Sequence, residues 1–158
     1  MTLGLFHPPP GQRPWHGGAS ALGALRGVDP DTAIWKPAPD RHSIWELALH
    51  IAYWNYAVWR RVGGEARGGF PRSPSNWPAP PTQIDASAWK RDRTLLRDYH
   101  DRLSEAMRAF DPGRLEESSG GRDGYTFGDL FMGAVLHETY HAGQIQIMKR
   151  IYASLSRA

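Results

Sequence analysis

The sequence predicts an all-α fold, a four-helix bundle. Apolar residues recur at helical spacing in three long segments, and no segment alternates convincingly as a strand. A connection of 21 residues, 63–83, separates the second and third helices and is long enough to cross between parallel helices. We expect residues 1–158 to form a single domain, with residues 1–14 irregular and a long loop at 63–84.

The second helix has the clearest start. Ser43-Ile44-Trp45-Glu46 has the pattern of a capping box, in which Ser43 accepts from the Glu46 N–H and Glu46 accepts from the Ser43 N–H. Gly63-Gly64 is expected to end the helix. Its apolar stripe comprises Ile44, Leu47, Ile51, Trp54, Val58 and Val62.

The third and fourth helices are also predicted from their caps and apolar periods. The third spans Ala86–Phe110 behind a cap at Asp85, with an inner face of Trp89, Leu96, Tyr99, Leu103, Ala106 and Phe110. The fourth starts at a second capping box, Thr126 to Asp129, and runs to about Ala153. Its core-facing seam comprises Leu130, Ala134, His137, His141, Gln144, Met148 and Ile151.

The first helix is the weakest of the four. Its apolar period is carried by Trp15, Ala19, Leu22 and Leu25. Glycines at positions 17, 18 and 23 lower its helix propensity, because glycine has the greatest backbone freedom to lose.

The composition favours an ordinary globular protein, with 41% apolar and 22% charged residues. No stretch has the ~18 uncharged apolar residues of a membrane span, and the N-terminus lacks a signal-peptide pattern, so we expect a cytoplasmic protein. The chain has no cysteine, which excludes disulfides, thiolate ligands and a cysteine nucleophile. The net charge is +3, but the most basic segment, 90–102, is interleaved with aspartates like a solvated helix face. Nucleic acid is therefore not expected as the primary ligand.

Two histidines stand where a helix core would normally carry Leu or Ile. His137 and His141 lie four residues apart in HETYH, so both imidazoles share one helix face. A lone histidine in such a seam is usually a satisfied core residue, but burying two neutral imidazoles costs free energy twice unless one ligand satisfies both. We therefore predict that the pair binds a divalent metal ion.

A metal site requires a third protein ligand. His50 is the best candidate because it lies in mid-helix beside the apolar stripe, and bundle sites draw ligands from facing helices. The alternatives remain open: His50 could be an edge histidine, and His100 lies toward the edge of the third helix. His7, His16 and His42 lie outside the long helices.

The same five residues match H-E-x-x-H, the zinc-protease pattern, yet a peptidase is not predicted. Such enzymes complete the site with a downstream Glu or His, and residues 142–158 contain no Asp, Glu or His. Ile147 and Gln144 stand where one form of the pattern requires His and Gly. A di-iron site is not predicted either, because the chain has no second E-x-x-H.

HSIWELALHIAYWNYAVWRR (42–61) and HETYHAGQI (137–145) resemble the DinB-like, DNA-damage-inducible superfamily, as do WHGGASALGAL and IWKPAPDRHSIWEL. The resemblance covers most of the chain. It implies an up-down-down-up bundle, zinc or nickel held by His50, His137 and His141, and a dimer, as in many relatives. Many relatives carry Arg after the last ligand, where this chain has Ala142.

The resemblance also bears on activity. Members of this superfamily are often described as metal-dependent hydrolases, and they include thiol transferases and an isomerase that uses a low-molecular-weight thiol. DNA binding is not implied. Two functions follow for this chain: a metal-dependent enzyme acting on a small molecule, by hydrolysis or with a thiol cosubstrate, or a metal-bound binding or stress-response protein without turnover.

Three neutral imidazoles would leave an open position on the metal, which is typical of catalytic rather than structural sites. Glu138, expected at the edge of the seam, is a candidate general base, with a solvated glutamate as the equal alternative. Glu46 could orient His50, although its capping box is the better-supported role. Catalysis would be favoured by an open pocket beside the metal, lined by Tyr53, Trp54 and Gln144.

The long loop is expected to be an ordered lid or wall. Its segment 63–83 contains five prolines, and loops of this length without secondary structure are often functional. Phe70 and Trp77 give it apolar groups to pack with, which argues against a disordered insertion.

Overall fold

The computed structural model describes Gln12, residues 18–66 and residues 68–155. Across these residues the fold is all-α, as predicted, with no strand and a single isolated bridge between Ser118 and Thr126. None of the described helices has the length and apolar character needed to cross a membrane. The four-helix, up-down-down-up arrangement and the single domain stay predictions.

The described helices are α1 Ala21–Ala24, α2 Pro30–Ile34, α3 Ile44–Val62, α4 Ala86–Ala109 and α5 Phe127–Leu155, with a 3-10 turn at Pro112–Arg114. The three long helices correspond to the predicted second, third and fourth. Of the predicted first helix, the described residues retain only α1, and Trp15 lies outside them. The sequence does not predict α2, because five residues behind an Asp29 cap are too few to display an apolar period.

The predicted start signals form in all three long helices. Ser43 Oγ accepts from the Glu46 N–H at 3.2 Å, and Glu46 Oε2 accepts from the Ser43 N–H at 2.7 Å. Asp85 caps α4 by accepting a backbone N–H at 2.7 Å. Thr126 and Asp129 accept from each other's backbone N–H at the start of α5, at 3.1 and 2.9 Å. These bonds satisfy donors that have no partner within the helix.

The long helices pack around two apolar clusters. α3 packs against both α4 and α5, while α1 lies against α5, and α2 contacts α3 and α4. The larger cluster surrounds Trp45, Trp89 and Ile145, and the smaller one surrounds Leu103 and Phe131. Along each long helix, a buried polar residue lies between the two clusters: Asn55, His100 and Glu138.

Three helix faces differ from the prediction, and the first is on α3, where Trp54, expected inside, is 40% exposed. On α5 the buried face is turned toward Phe131 and Glu138, and Ile151, expected inside, is 41% exposed. On α4, Asp92 is fully buried although its charged neighbours indicate a solvated face, and His100 is buried rather than at the edge. Each of these buried polar groups has a specific partner, which apolar periodicity cannot reveal.

The loop between α3 and α4, residues 63–85, is described except for residue 67. Phe70 and Trp77 pack against the larger apolar cluster, as predicted. The Tyr56 hydroxyl donates to the Gly68 carbonyl, which ties the start of the loop to α3. Arg72 forms an ion pair with Asp92 of α4, so the loop is attached to both helices that it connects.

Candidate metal centre

The structure brings the three predicted ligands together. His50 on α3 faces His137 and His141 on α5. The Nε2 atoms of His50 and His137 are 3.0 Å apart, and those of His137 and His141 are 3.1 Å apart. In the part of the chain that the structure describes, these three residues form the one group whose ligand atoms all lie within 4.8 Å of one another.

Hydrogen bonds on the far side of two rings determine which nitrogens face the cluster. His50 Nδ1 lies 2.6 Å from the Asn76 carbonyl oxygen, which can only accept, so Nδ1 carries the proton. His141 Nδ1 lies 2.6 Å from Gln144 Oε1, and the Gln144 amide donates to the Tyr140 hydroxyl at 3.2 Å. In both neutral imidazoles, Nε2 is therefore the unprotonated nitrogen and presents its lone pair to the cluster.

The cluster is better suited to binding a metal ion than to binding a proton. Burial, and then repulsion between neighbouring imidazoles, lowers the pKa of His137 to about 3; burial is also the main cause that lowers the pKa of His50 to about 4. Burial lowers the pKa of His141 as well, so all three rings are neutral at pH 7. Lone pairs that converge without a proton are satisfied by a metal ion. Tetrahedral bonds of about 2.1 Å would separate the nitrogens by roughly 3.4 Å, close to the spacing found here.

One further nitrogen of the cluster stands out. His137 Nδ1 is buried and has no hydrogen-bond partner within the described residues. A buried polar atom left unsatisfied costs free energy. Coordination through His137 Nε2 would leave Nδ1 as the N–H of this ring and would not supply that partner, so the fit to a divalent metal ion rests on the three converging Nε2 atoms.

Aromatic rings border the cluster. Trp77 of the loop stacks on His50, with ring centroids 3.7 Å apart and an interplanar angle of 7°. Trp54 meets His50 edge-on at 6.4 Å, and its side chain is 40% exposed. Tyr140, which is 64% exposed, lies beyond Gln144 on the outer side of α5. The cluster therefore lies near the surface, beside an aromatic rim.

The predicted pocket residues separate into two groups. Trp54 and Gln144 adjoin the three imidazoles, as expected. Tyr53 instead packs edge-on against Phe70 of the loop at 5.5 Å and against Trp54 at 5.7 Å. Its role in the structure is to support the loop and the Trp54 ring.

The capping-box interpretation of Glu46 is the one that the structure has. Its carboxylate accepts from the Ser43 N–H at 2.7 Å and from Lys36 Nζ at 2.9 Å. The group that orients His50 is the Asn76 carbonyl. Sequence reasoning missed this contact because any residue type supplies a backbone carbonyl. A weak signal was present, since Asn is among the few residues that accept the positive φ of 71° found at position 76.

Glu138 is not at the edge of the seam, and that part of the prediction is wrong. Its side chain is buried, and Oε1 accepts from Asn55 Nδ2 at 2.6 Å and contacts His100 Nδ1 at 3.0 Å. Burial alone would lower the pKa of His100, but the Glu138 carboxylate outweighs it, and the pKa is raised. His100 is therefore the partner of a buried carboxylate. The role of Glu138 as a general base stays a prediction.

A model of the DinB superfamily matches residues 17–145, which include all three histidines. The chain belongs to the DinB superfamily. No curated protein and no solved structure matches it. For this DinB-superfamily protein, the match confirms, at the level of the family, the resemblance of residues 42–61 and 137–145. The identity of the metal and the reaction stay predictions.

We expect His50→Ala, His137→Ala and His141→Ala each to lose bound metal and to remain largely helical. Removing one of three ligands leaves too few nitrogens to retain the ion through dialysis. The measurement is elemental analysis after loading with zinc or nickel, together with circular dichroism. Arg91→Ala is the matched control, because this exposed arginine of α4 binds Ser87 and lies outside the three-histidine group. Full occupancy in His50→Ala would remove His50 from the ligand set.

We expect Glu138→Gln and His100→Gln to be coupled in a double-mutant cycle by about 1–3 kcal/mol of unfolding free energy. Because the folded pKa of His100 is raised, the coupling is fully present below the unfolded pKa near 6.5 and declines as pH rises through the folded value. Denaturant titration at several pH values measures it. The exposed pair of Arg114 and Glu117 is the control and should contribute little. Additive effects of the two changes would contradict a stabilising ion pair.

Proposed function

We propose that this protein is a metal-dependent enzyme that acts on a small molecule, by hydrolysis or by transfer of a low-molecular-weight thiol. The observation that carries this proposal is the convergence of the Nε2 atoms of three neutral imidazoles beside an exposed aromatic rim. Among the described residues, no fourth His, Asp or Glu joins the group. A three-nitrogen set leaves room for a small ligand, whereas structural zinc is normally closed by four protein ligands.

His50, His137 and His141 would hold the ion, with zinc or nickel as the proposed metals. A divalent ion bound there would supply Lewis-acid activation of a water or a thiol. Trp54, which is 40% exposed, provides a flat apolar surface against which a small substrate can pack, and Trp77 backs the His50 ring. Since the cluster lies beside these rings rather than at a sheet edge, a small molecule is a better fit than a peptide or nucleic acid.

The position of Glu138 bears on which group could act as the general base. In H-E-x-x-H proteases the glutamate acts as the base. Here the Oε1 atom of Glu138 is engaged with Asn55 and His100 in the core. This arrangement supports the expectation that the protein is not a peptidase, and it favours a positioning role for Glu138.

The second candidate is a metal-bound binding or stress-response protein without turnover. It is favoured by the position of Glu138, the carboxylate next to the histidines in sequence. This side chain forms a buried ion pair with His100. The groups that contact the ligand rings on their far sides are an amide and a backbone carbonyl, from Gln144 and Asn76, which do not transfer protons readily.

We also propose the up-down-down-up bundle within one domain, and a homodimer.

The α5 stripe, a row of large apolar side chains on the outer face of α5, comprises Met132, Leu136, Tyr140, Ile147, Ile151 and Leu155. These side chains are 41–64% exposed. Together they present on the order of 600 Å² of largely apolar surface, close to the ~800 Å² that one partner contributes to a standard interface.

A second copy of this chain is the occupant that the α5 stripe fits best. Between residues 130 and 148, α5 carries one charged residue, Glu138, and that residue is buried. Within this stretch the exposed face therefore offers no charge that would have to be paired or desolvated, and the exposed Arg150 lies near the C-terminal end of the stripe. Its length of about 35 Å allows two such helices to pack along each other.

We expect turnover only in protein loaded with metal. The assay compares loaded protein, chelator-stripped protein and His137→Ala on ester substrates and on a low-molecular-weight thiol paired with an electrophile. Glu138→Gln should keep its metal; a loss of about 10² to 10⁴-fold would assign the base to Glu138, and a small change would assign it a positioning role. Activity that survives in His137→Ala, or cleavage of a peptide library, would contradict the proposal. Fully loaded protein without turnover would favour the binding protein.

We expect the wild-type protein to sediment as a dimer and Leu136→Asp/Ile147→Asp to sediment as a monomer with unchanged metal content. Two carboxylates in a dry interface would cost more free energy than its apolar contacts supply. Analytical ultracentrifugation measures the mass, and Thr94→Asp on the exposed side of α4 is the control. A monomeric wild-type protein would contradict the proposed dimer.

A further inference from the structure

The long loop holds one ring of the metal centre. The proton on His50 Nδ1 is accepted by the Asn76 carbonyl at 2.6 Å, which fixes the rotation of the ring and leaves Nε2 for the cluster. The Trp77 ring lies on the face of the His50 ring, 3.7 Å away and nearly parallel. His137 and His141 lie on one helix, whereas His50 depends on residues 26 and 27 positions further along the chain, in the loop.

These two loop residues are themselves held. Asn76 Oδ1 accepts from Trp54 Nε1 at 2.8 Å, and a positive φ of 71° directs the Asn76 backbone. The outer face of Trp77 stacks on His42, with centroids 3.6 Å apart and an angle of 3°. Trp77 is thus inserted between an exposed histidine and a metal-ligating one. The pair Asn76–Trp77 acts as a clamp on His50.

The loop is fixed a few residues earlier by a buried charge. Arg72 Nε and Nη2 both donate to Asp92 Oδ1, at 2.9 and 2.6 Å. The other oxygen, Oδ2, accepts from Trp45 Nε1 at 2.8 Å, and Asp92 is fully buried. The Arg72–Asp92 pair is here called the latch. Because a buried carboxylate is costly without its cation, the latch strongly favours the loop position that the structure shows.

The segment that joins the latch to the clamp is short and internally bonded. Three residues separate Arg72 from Asn76. The Ala79 N–H donates to the Ser73 carbonyl at 3.0 Å, and the Trp77 N–H donates to the Ser75 carbonyl at 2.9 Å. Because these turns limit its freedom, a displacement of Arg72 is transmitted to the clamp.

We propose that Arg72, paired with Asp92, is a positioning residue for the metal centre. Its guanidinium binds Asp92 and the Pro71 carbonyl, so it acts on His50 through the loop. When Arg72 and Asp92 are paired, His50 Nε2 is held in place before the ion binds. With the latch broken, binding must also order the loop, and the affinity for the ion falls by the free energy of that ordering. This inference rests on the proposed metal centre.

The first test is the dissociation constant for zinc, measured by competition with a chromophoric chelator. We expect Arg72→Ala and Asp92→Asn to bind one zinc ion per chain at saturation, with affinity about 10 to 100-fold weaker than wild type. Arg72→Lys keeps the charge and should recover part of the loss. Arg91→Ala is the matched control, since this exposed arginine of α4 binds Ser87, and its affinity should stay within about twofold of wild type.

The second test needs no variant that could fail to fold. Linkage requires that, if the loop aids zinc binding, zinc stabilises the loop. Hydrogen exchange of the Trp77 and Ala79 amides in the wild-type protein should therefore slow when zinc is added.

The outcomes separate the two proposals. Wild-type protein that binds no zinc overturns the metal centre and, with it, this role for Arg72. Tight binding by wild type, matched by Arg72→Ala and Asp92→Asn, overturns the latch alone. The latch is also overturned if bound zinc leaves the exchange of the Trp77 and Ala79 amides unchanged.

Discussion

A single buried polar contact sets the alignment on which the site depends. The Glu138 carboxylate of α5 meets Asn55 of α3 and His100 of α4, so one oxygen atom joins all three long helices. A shift of any helix by one turn would leave an ionised group unpaired in the core, which is far more costly than repacking apolar side chains. His50 precedes Asn55 by five residues, and the other two histidines of the cluster flank Glu138 on its own helix. The register that satisfies the carboxylate is therefore the register that gathers the imidazoles.

Buried histidines in this protein have opposite preferences for a proton, and the cause is their neighbours rather than their depth. His100 faces a carboxylate, which raises its pKa against the effect of burial. His50 and His137 face other imidazoles, so burial and mutual repulsion act in the same direction, and their pKa values fall to about 4 and about 3. Protonation is thus favoured at His100, between the apolar clusters, and disfavoured at the three-histidine cluster. A metal ion bound there would find the three imidazoles already deprotonated.

The sequence predicts the parts of this arrangement that obey a local rule. Both capping boxes, the three long helices and the histidine pair follow from spacing, because hydrogen bonds near helix ends and side chains four residues apart are set locally. The phase of α5 and the burial of Asp92 do not follow, since each depends on a partner distant in sequence: His100 for Glu138, and Arg72 for Asp92. The contact between His50 and Asn76 is harder still, because a loop backbone atom leaves almost no trace in residue identity.

One ligand ring is shaped by a loop, and the other two belong to a helix whose face is fixed by the core. Surface loops accept substitutions and insertions at little thermodynamic cost, since lengthening a closed loop adds only slowly to its entropy. Substitutions in the segment around Asn76 and Trp77 can therefore change the wall of the site while the helical frame stays intact. Chains descended from a common ancestor would therefore be able to keep the three histidines in place while the loop changes. Such chains would differ in the molecules that fit beside the histidines.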